Sequence, residues 1–138
     1  FPVDTKDFRA VRNIIDGLSC VETVSNTHVG IEGIGSQPRF STRTLIQMGR
    51  GLQAAEDAVI VCGFSYSWVG SKEWQNLAFA GSRTRPKDPK QRKRAIVGVA
   101  RERWPRVEWD KYNALDKSGV ADALFVAQVI FQREFTAL

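Results

Sequence analysis

Apolar residues recur along the chain in two periods, one helical and one alternating. In residues 4–18, Phe8, Val11, Ile14, Ile15 and Leu18 fall on one face at helical spacing. Asp4 or Thr5 can cap this helix, and Gly17 lies near its end. Residues 27–35, THVGIEGIG, predict a short strand with Val29, Ile31 and Ile34 facing the core, ended by Gly33 and Gly35. Residues 36–42 then form a loop. Helical spacing returns in residues 41–63, where Ser41 or Thr42 can cap and Leu45, Met48, Leu52 and Ala55 share a face. Gly49 and Gly51 inside that helix each cost about 1 kcal/mol relative to alanine, which predicts close packing against the helix there.

Residues 64–74 read as a second strand followed by a turn. Residues 82–94, polar, basic and holding two prolines, read as a surface loop leading into a helix. That helix, in residues 91–105, carries Ile96, Val97, Ala100 and Trp104 on one face and stops at Pro105. Residues 106–119 are polar and read as irregular. A final helix spans residues 119–135 and is nearly all apolar from Val120 to Phe131, with one charge, Asp122. The order predicts one α/β domain over residues 1–138, with a mostly parallel sheet. Two strands are too few for such a sheet, so further strands are expected, either unrecognised or outside this chain. The chain begins with Phe1 rather than Met, so a processed protein or part of a longer one is expected.

Composition narrows the class. The chain has 138 residues, 43% hydrophobic and 25% charged, which suits a globular domain and not a disordered one. Twenty Lys and Arg against 15 Asp and Glu give a net charge of +5 and a pI near 9.6, a balance that favours a polyanionic partner. The two cysteines, Cys20 and Cys62, lie far apart in apolar surroundings and read as buried free thiols in a reducing, intracellular compartment. With His28 the only histidine, no structural zinc spacing exists. No apolar run is long enough to span a membrane, and no signal peptide is visible.

Two acids occupy unusual places. Glu32 ends an apolar strand beside glycines, and Asp122 lies in the first turn predicted for an apolar helix. Ligands of α/β sheets gather at the carboxyl ends of strands. Two carboxylates brought together repel unless a cation or proton sits between them, and oxygen-rich acid sites suit Mg2+ or Mn2+. Such ions activate water and stabilise the leaving oxygen in phosphodiester cleavage. The plainer readings are that first-turn Asp is favoured by the helix dipole and that Glu32 points to solvent. Arg39, Arg43 and Arg50 follow Glu32, while Lys87, Lys90, Arg92, Lys93 and Arg94 crowd the loop after the second strand. They can neutralise phosphates, or merely form a solvated face. Trp68, Trp74 and Trp104 can stack on bases, with helix packing the stronger reading for Trp104.

Taken in order, these segments resemble the RuvC-type Holliday junction resolvases, especially the phage-type and plant-chloroplast branch. VGIEGIGSQP resembles the family's second acidic strand, and MGRGLQAAEDAVIVCGF its glycine-bearing helix and the turn that follows. GSKEWQ resembles the strand-end turn with its tryptophan, KDPKQRKRAIVGVARERWP the Lys-Asp stretch and helix, and KSGVADALFVAQ the last acidic motif. The likeness covers residues 4–132. It implies an RNase H-like fold, a mixed central sheet flanked by helices, whose amino-terminal strands and first acid lie outside this chain. It also implies a homodimer cutting four-way DNA junctions with carboxylate-bound Mg2+ or Mn2+. Glu32 and Asp122 would be metal ligands; Lys72, Lys87 and the neighbouring basic residues would contact the junction. Where the family places an Asp or His before the last acid, this chain has Ser118 and Gly119, with Lys117 a cationic substitute among the catalytic residues. The alternative is a non-cutting relative that binds nucleic acid, DNA or RNA, inside a larger ribonucleoprotein such as an organellar ribosome. The compartments implied are cytoplasm or nucleoid, mitochondrion or chloroplast.

Overall fold

The computed structural model describes residues 8–20, 27–34, 40–81 and 84–136. The architecture is mixed α/β, mostly helical, with a small two-stranded parallel sheet. The chain divides into two compact units, one within residues 3–71 and the other within residues 72–138.

The first unit contains α1 (Phe8–Ser19), β1 (His28–Gly33), α2 (Thr42–Val61) and β2 (Ser65–Gly70). The strands pair in parallel from His28↔Ser65 to Gly33↔Gly70. Parallel strands need a crossover, because the chain must travel back the length of the strand before starting the next; α2 is that crossover. Strand side chains alternate between faces. Val29, Ile31 and Tyr66 therefore share the face that packs with Leu52, Val59, Cys62 and Phe64, and with Leu18 of α1. This is the core predicted for Val29, Ile31 and Leu18. Ile34 is half-buried just past the strand. The caps expected at Asp4 or Thr5 lie outside the described residues.

Ser41 caps α2, its Oγ accepting from the Thr44 N–H at 3.2 Å. The expected apolar face holds for Leu52 and fails for Leu45, which is 38% exposed. The buried residues Gly51, Ala58 and Val59 lie in the second half of the helix, and Leu45, in the first turn, precedes them. Gly51 is buried, as close packing requires, but a β-carbon at Gly49 would meet nothing within 4 Å, so crowding does not explain glycine there. Cys62 is partly buried against the core. Cys20, expected to be buried, is exposed at the end of α1, with Sγ donating to the Asp16 carbonyl.

The second unit is helical: α3 (Ser71–Ala78), α4 (Pro89–Arg103), a 3-10 turn at Trp109–Lys111 and α5 (Ala114–Thr136). The turn expected after β2 is instead α3. Trp74 and Ala78, four residues apart and thus on one helical face, are both buried in it. The basic segment also differs from expectation. Asp88 caps α4 by accepting from Gln91 N–H at 2.8 Å, and Pro89 occupies the first turn, where its missing N–H costs nothing. Lys90, Arg92, Lys93 and Arg94 are thus helical, and of that group only Lys87 lies in the loop. On α4, Ile96 and Ala100 are buried as expected, and Val99 is buried in preference to Val97. The last helix begins earlier than predicted. Asn113 Oδ1 accepts from the N–H groups of Leu115 and Asp116 at 3.0 and 2.9 Å, starting α5 within a stretch read as irregular.

Phe125 is the centre of this unit, with no exposed surface. Trp74 stacks on it at 6.3 Å between centroids and Trp104 meets it edge-on at 5.0 Å. The Arg103 guanidinium lies 5.3 Å from the same ring centre, held by its bond to Gln128 at 2.8 Å. Trp109, also buried, donates its indole N–H to the Trp104 carbonyl at 3.0 Å, fixing the α4–α5 connection. Among the described residues, no helix is long and apolar enough to cross a membrane. Phe125→Ala is expected to destabilise this unit by about 3–5 kcal/mol in urea unfolding, because a ring is lost from a site with no slack; a loss under about 1 kcal/mol would show that the aromatic cluster is not its anchor.

Candidate functional site

Both strands run the same way, so their carboxyl ends finish at one edge of the sheet. Glu32 is the penultimate residue of β1, level with Val69 of β2. Ile31 is buried and Glu32 exposed, as strand alternation requires. Its face also carries His28 and Gly30, paired with Ser65 and Ser67. The His28 ring is bracketed by those serines, with Nε2 2.8 Å from Ser67 Oγ and Nδ1 3.0 Å from Ser65 Oγ. A neutral imidazole can donate through one nitrogen and accept through the other, so His28 ties β1 to β2 along this face. In the sequence reading, His28 entered only as a missing zinc ligand; its cross-strand role depends on a register that sequence does not reveal.

The crossover brings α2 back against the strands, so its first half lies toward their carboxyl ends. Arg43 and Arg50, both exposed, are seven residues apart and share a side of that half. Glu56 and Asp57 lie in the other half. Charge is therefore graded along α2, basic toward Glu32 and acidic away from it. Arg39, the third candidate after Glu32, lies outside the described residues.

In the second unit, Asp122 is half-buried on α5. Because α5 begins at Ala114, Asp122 is not in the first turn; Asp116 is. The dipole effect falls off within the first turn, so Asp122 is held by other interactions of its side chain rather than by the helix end. Ser118, four residues earlier, lies one turn back on the same face. Lys117, five residues earlier, is rotated about 140° around the helix from Asp122. It is half-buried on a different face of the helix.

The basic candidates also separate. Lys90, Lys93 and Arg94 are exposed in the first turns of α4; Lys90 and Arg94 share a side turned away from the buried Ile96 and Val99, while Lys93, seven residues before Ala100, shares Ala100's side. Arg101 continues that stripe three turns along, with its guanidinium 3.1 Å from Asp110. The 90–94–101 spacing in the sequence carries that stripe. Arg92 faces inward, donating from Nε to the Pro86 carbonyl at 3.0 Å and from Nη2 to the Lys87 carbonyl at 2.8 Å. It braces the loop that presents Lys87, rather than offering its charge outward. Lys72 is exposed in the first turn of α3.

Glu32 belongs to the first unit and Asp122 to the second, and each carboxylate is an oxygen donor of the kind hard divalent cations take. Among the described residues, no three of His, Cys, Asp and Glu gather into one cluster. No family model matches the sequence, and no curated protein matches it.

One electrostatic contact positions the strand behind this edge. Tyr66 donates to Glu56 Oε1 at 2.5 Å, joining β2 to α2. That hydrogen bond to the carboxylate, then burial, then the charges of Glu56 and Asp57, hold the Tyr66 phenol above its ordinary value of 10.0. A folded-state value above the unfolded one means the bond's contribution is fully present below the unfolded value and is lost as pH rises through the folded value. Absorbance titration is expected to show Tyr66 ionising above the ordinary phenol range, with Glu56→Gln moving it back toward that range. An unshifted Tyr66 in the wild type, or no change in Glu56→Gln, would contradict this contact.

Proposed function

We propose that this chain is an RNase H-like, Mg2+-dependent, structure-selective endonuclease acting on four-way DNA junctions. The observation that carries the reading is Glu32, an exposed carboxylate at the carboxyl edge of a parallel strand pair, where α/β sheets gather ligands. Half-buried Asp122 on α5, the basic first half of α2 and the exposed Lys90, Lys93 and Arg94 support it, together with the ordered resemblance to RuvC-type resolvases.

Glu32 and Asp122 would hold the cation together with the first acid that the resemblance places outside this chain, with water completing its shell. When bound, that cation activates water and stabilises the leaving oxygen of the cleaved phosphodiester. The chain's own residues do the rest. Arg43, Arg50, Lys72, Lys87, Lys90, Lys93 and Arg94 neutralise phosphates and set the junction's register. Cutting two strands symmetrically needs two sites related by a two-fold axis, so a homodimer is expected. Mn2+ should replace Mg2+, because both suit oxygen ligands. An intracellular compartment holding DNA, whether cytoplasm, nucleoid or organelle, follows from that substrate.

A second reading is favoured by Ser118, which stands one turn before Asp122 where the family places an acid or histidine. In it the chain binds DNA or RNA without cutting, as a subunit of a larger ribonucleoprotein. The test incubates the protein with a synthetic four-way junction in Mg2+. Paired symmetric nicks are expected, and Glu32→Gln or Asp122→Asn should slow them by more than the roughly 10- to 100-fold typical of losing a supporting residue, with junction binding retained. An intact junction, with equal affinity in the wild type and both variants, contradicts cleavage and supports the second reading.

A further inference from the structure

A helix that packs on one side is expected to turn polar residues to water on the other. Most of α5 does not. At about 100° of turn per residue, Val120, Leu124, Ala127, Phe131 and Phe135 fall within an arc of about 80°. That stripe lies roughly opposite the side buried around Phe125 and Val129. Val120 and Leu124 are half-buried, and Ala127 is exposed. Phe131 and Phe135 are 58% and 62% exposed, although their rings meet at 4.2 Å between centroids. Single exposed apolar residues are ordinary, whereas a contiguous apolar row marks a contact surface. The one charge between Val120 and Phe131, Asp122, is about 180° around the helix from the middle of the stripe.

The stripe fits itself turned end for end. Its amino half carries aliphatic Val120 and Leu124, its carboxyl half two phenylalanines, and its middle the small Ala127. Antiparallel pairing about a two-fold axis beside Ala127 sets Phe131 against Leu124 of the partner subunit and Phe135 against Val120 of the partner subunit. The alanines then lie where the two helices come closest. Parallel pairing would instead stack the phenylalanines at one end and hold the aliphatic ends apart. The stripe has no charge to offer a polyanion, whose affinity comes from cations on its phosphates. Residues 120–135 span about 24 Å, and two helices about 10 Å across in contact over that length bury on the order of 1,000 Å² in total, about the least that a specific interface needs.

We propose that α5 is a self-association surface, on which a second copy of this chain docks antiparallel along the Val120–Phe135 stripe. The contact is isologous, so one patch supplies both sides of it. Asp122 lies on the opposite side of α5 and is left uncovered. This goes beyond the function proposed above and does not rest on it, because the stripe would serve a non-cutting chain equally well.

The test uses the whole chain without nucleic acid. Sedimentation velocity over a concentration series compares the wild type with Phe131→Glu and Phe135→Glu, each checked for an unchanged far-UV spectrum. A wild-type dimer with a dissociation constant on the order of micromolar is expected. Each glutamate should weaken it by at least about 30-fold, as for loss of a central interface side chain. Mild oxidation then tests the arrangement in a Cys20→Ser, Cys62→Ser background. Ala127→Cys, beside the axis, should form an interchain disulfide readily, and Phe135→Cys, facing Val120 of the partner subunit, much less. That pair also decides the matter if a glutamate variant fails to fold. A wild type still monomeric at about 1 mM overturns the proposal, and so does a dimer unchanged by both glutamates. Cross-linking at Phe135→Cys equal to or above that at Ala127→Cys overturns it as well. A monomer that instead adheres to lipid vesicles through these phenylalanines overturns it and makes a membrane surface the occupant. None of these outcomes bears on junction cleavage, which is measured separately.

Discussion

Two short parallel strands can pair only if the chain leaves the first at its carboxyl end and returns to the amino end of the second. Much of the first unit follows from that requirement. The return path is α2, whose apolar face must cover one side of the sheet; Val59, Leu52, Val29, Ile31 and Tyr66 meet there. Because the strands run the same way, their carboxyl ends lie side by side, and the crossover's first turns come to the same edge. That edge collects Glu32, Gly33, Trp68 and the basic half of α2, which are distant in sequence. In the second unit, Phe125 plays the comparable part, with Trp74 and Trp104 as neighbours from two other segments.

The sequence revealed what depends on local periodicity. Ile31 and Val29 alternate with polar residues, and Ile96 and Ala100 recur at helical spacing, so their burial could be read directly. Helix ends were less legible, because they depend on single capping atoms. Asn113 is one polar residue in a polar stretch, yet its side-chain oxygen accepts from two N–H groups and moves the start of α5 by more than a turn. Asp88 likewise caps a helix that takes in residues 89–94, read as loop. The candidate site was legible only in part. Glu32 could be placed at a strand end, but the bond from Tyr66 to Glu56 and the clamp of His28 on Ser65 and Ser67 are cross-strand or strand-to-helix contacts. They require register, which no local pattern encodes.

The shift in the start of α5 changes how Asp122 is understood. A carboxylate in the first turn is held by free N–H groups and the helix dipole, and needs no function. More than two turns along, the N–H groups are already bonded within the helix, so Asp122 is held by other interactions of its side chain. Arg92 shows the opposite case. It belongs by sequence to the basic cluster, but it faces the loop and bonds to two carbonyls, so its charge serves local structure. The basic surface is therefore narrower than composition suggests: Lys90, Lys93 and Arg94 outward, Arg92 inward.

The reading proposed above makes Glu32 and Asp122 metal-binding carboxylates. Electron paramagnetic resonance titration with Mn2+, without nucleic acid, tests this separately from cleavage or binding. The account predicts a saturable Mn2+ site in the wild type that is weakened at least about tenfold by Glu32→Gln and, separately, by Asp122→Asn, with no additional site lost in the double variant. Mn2+ binding that is absent from the wild type, or unchanged in both single variants, would contradict it.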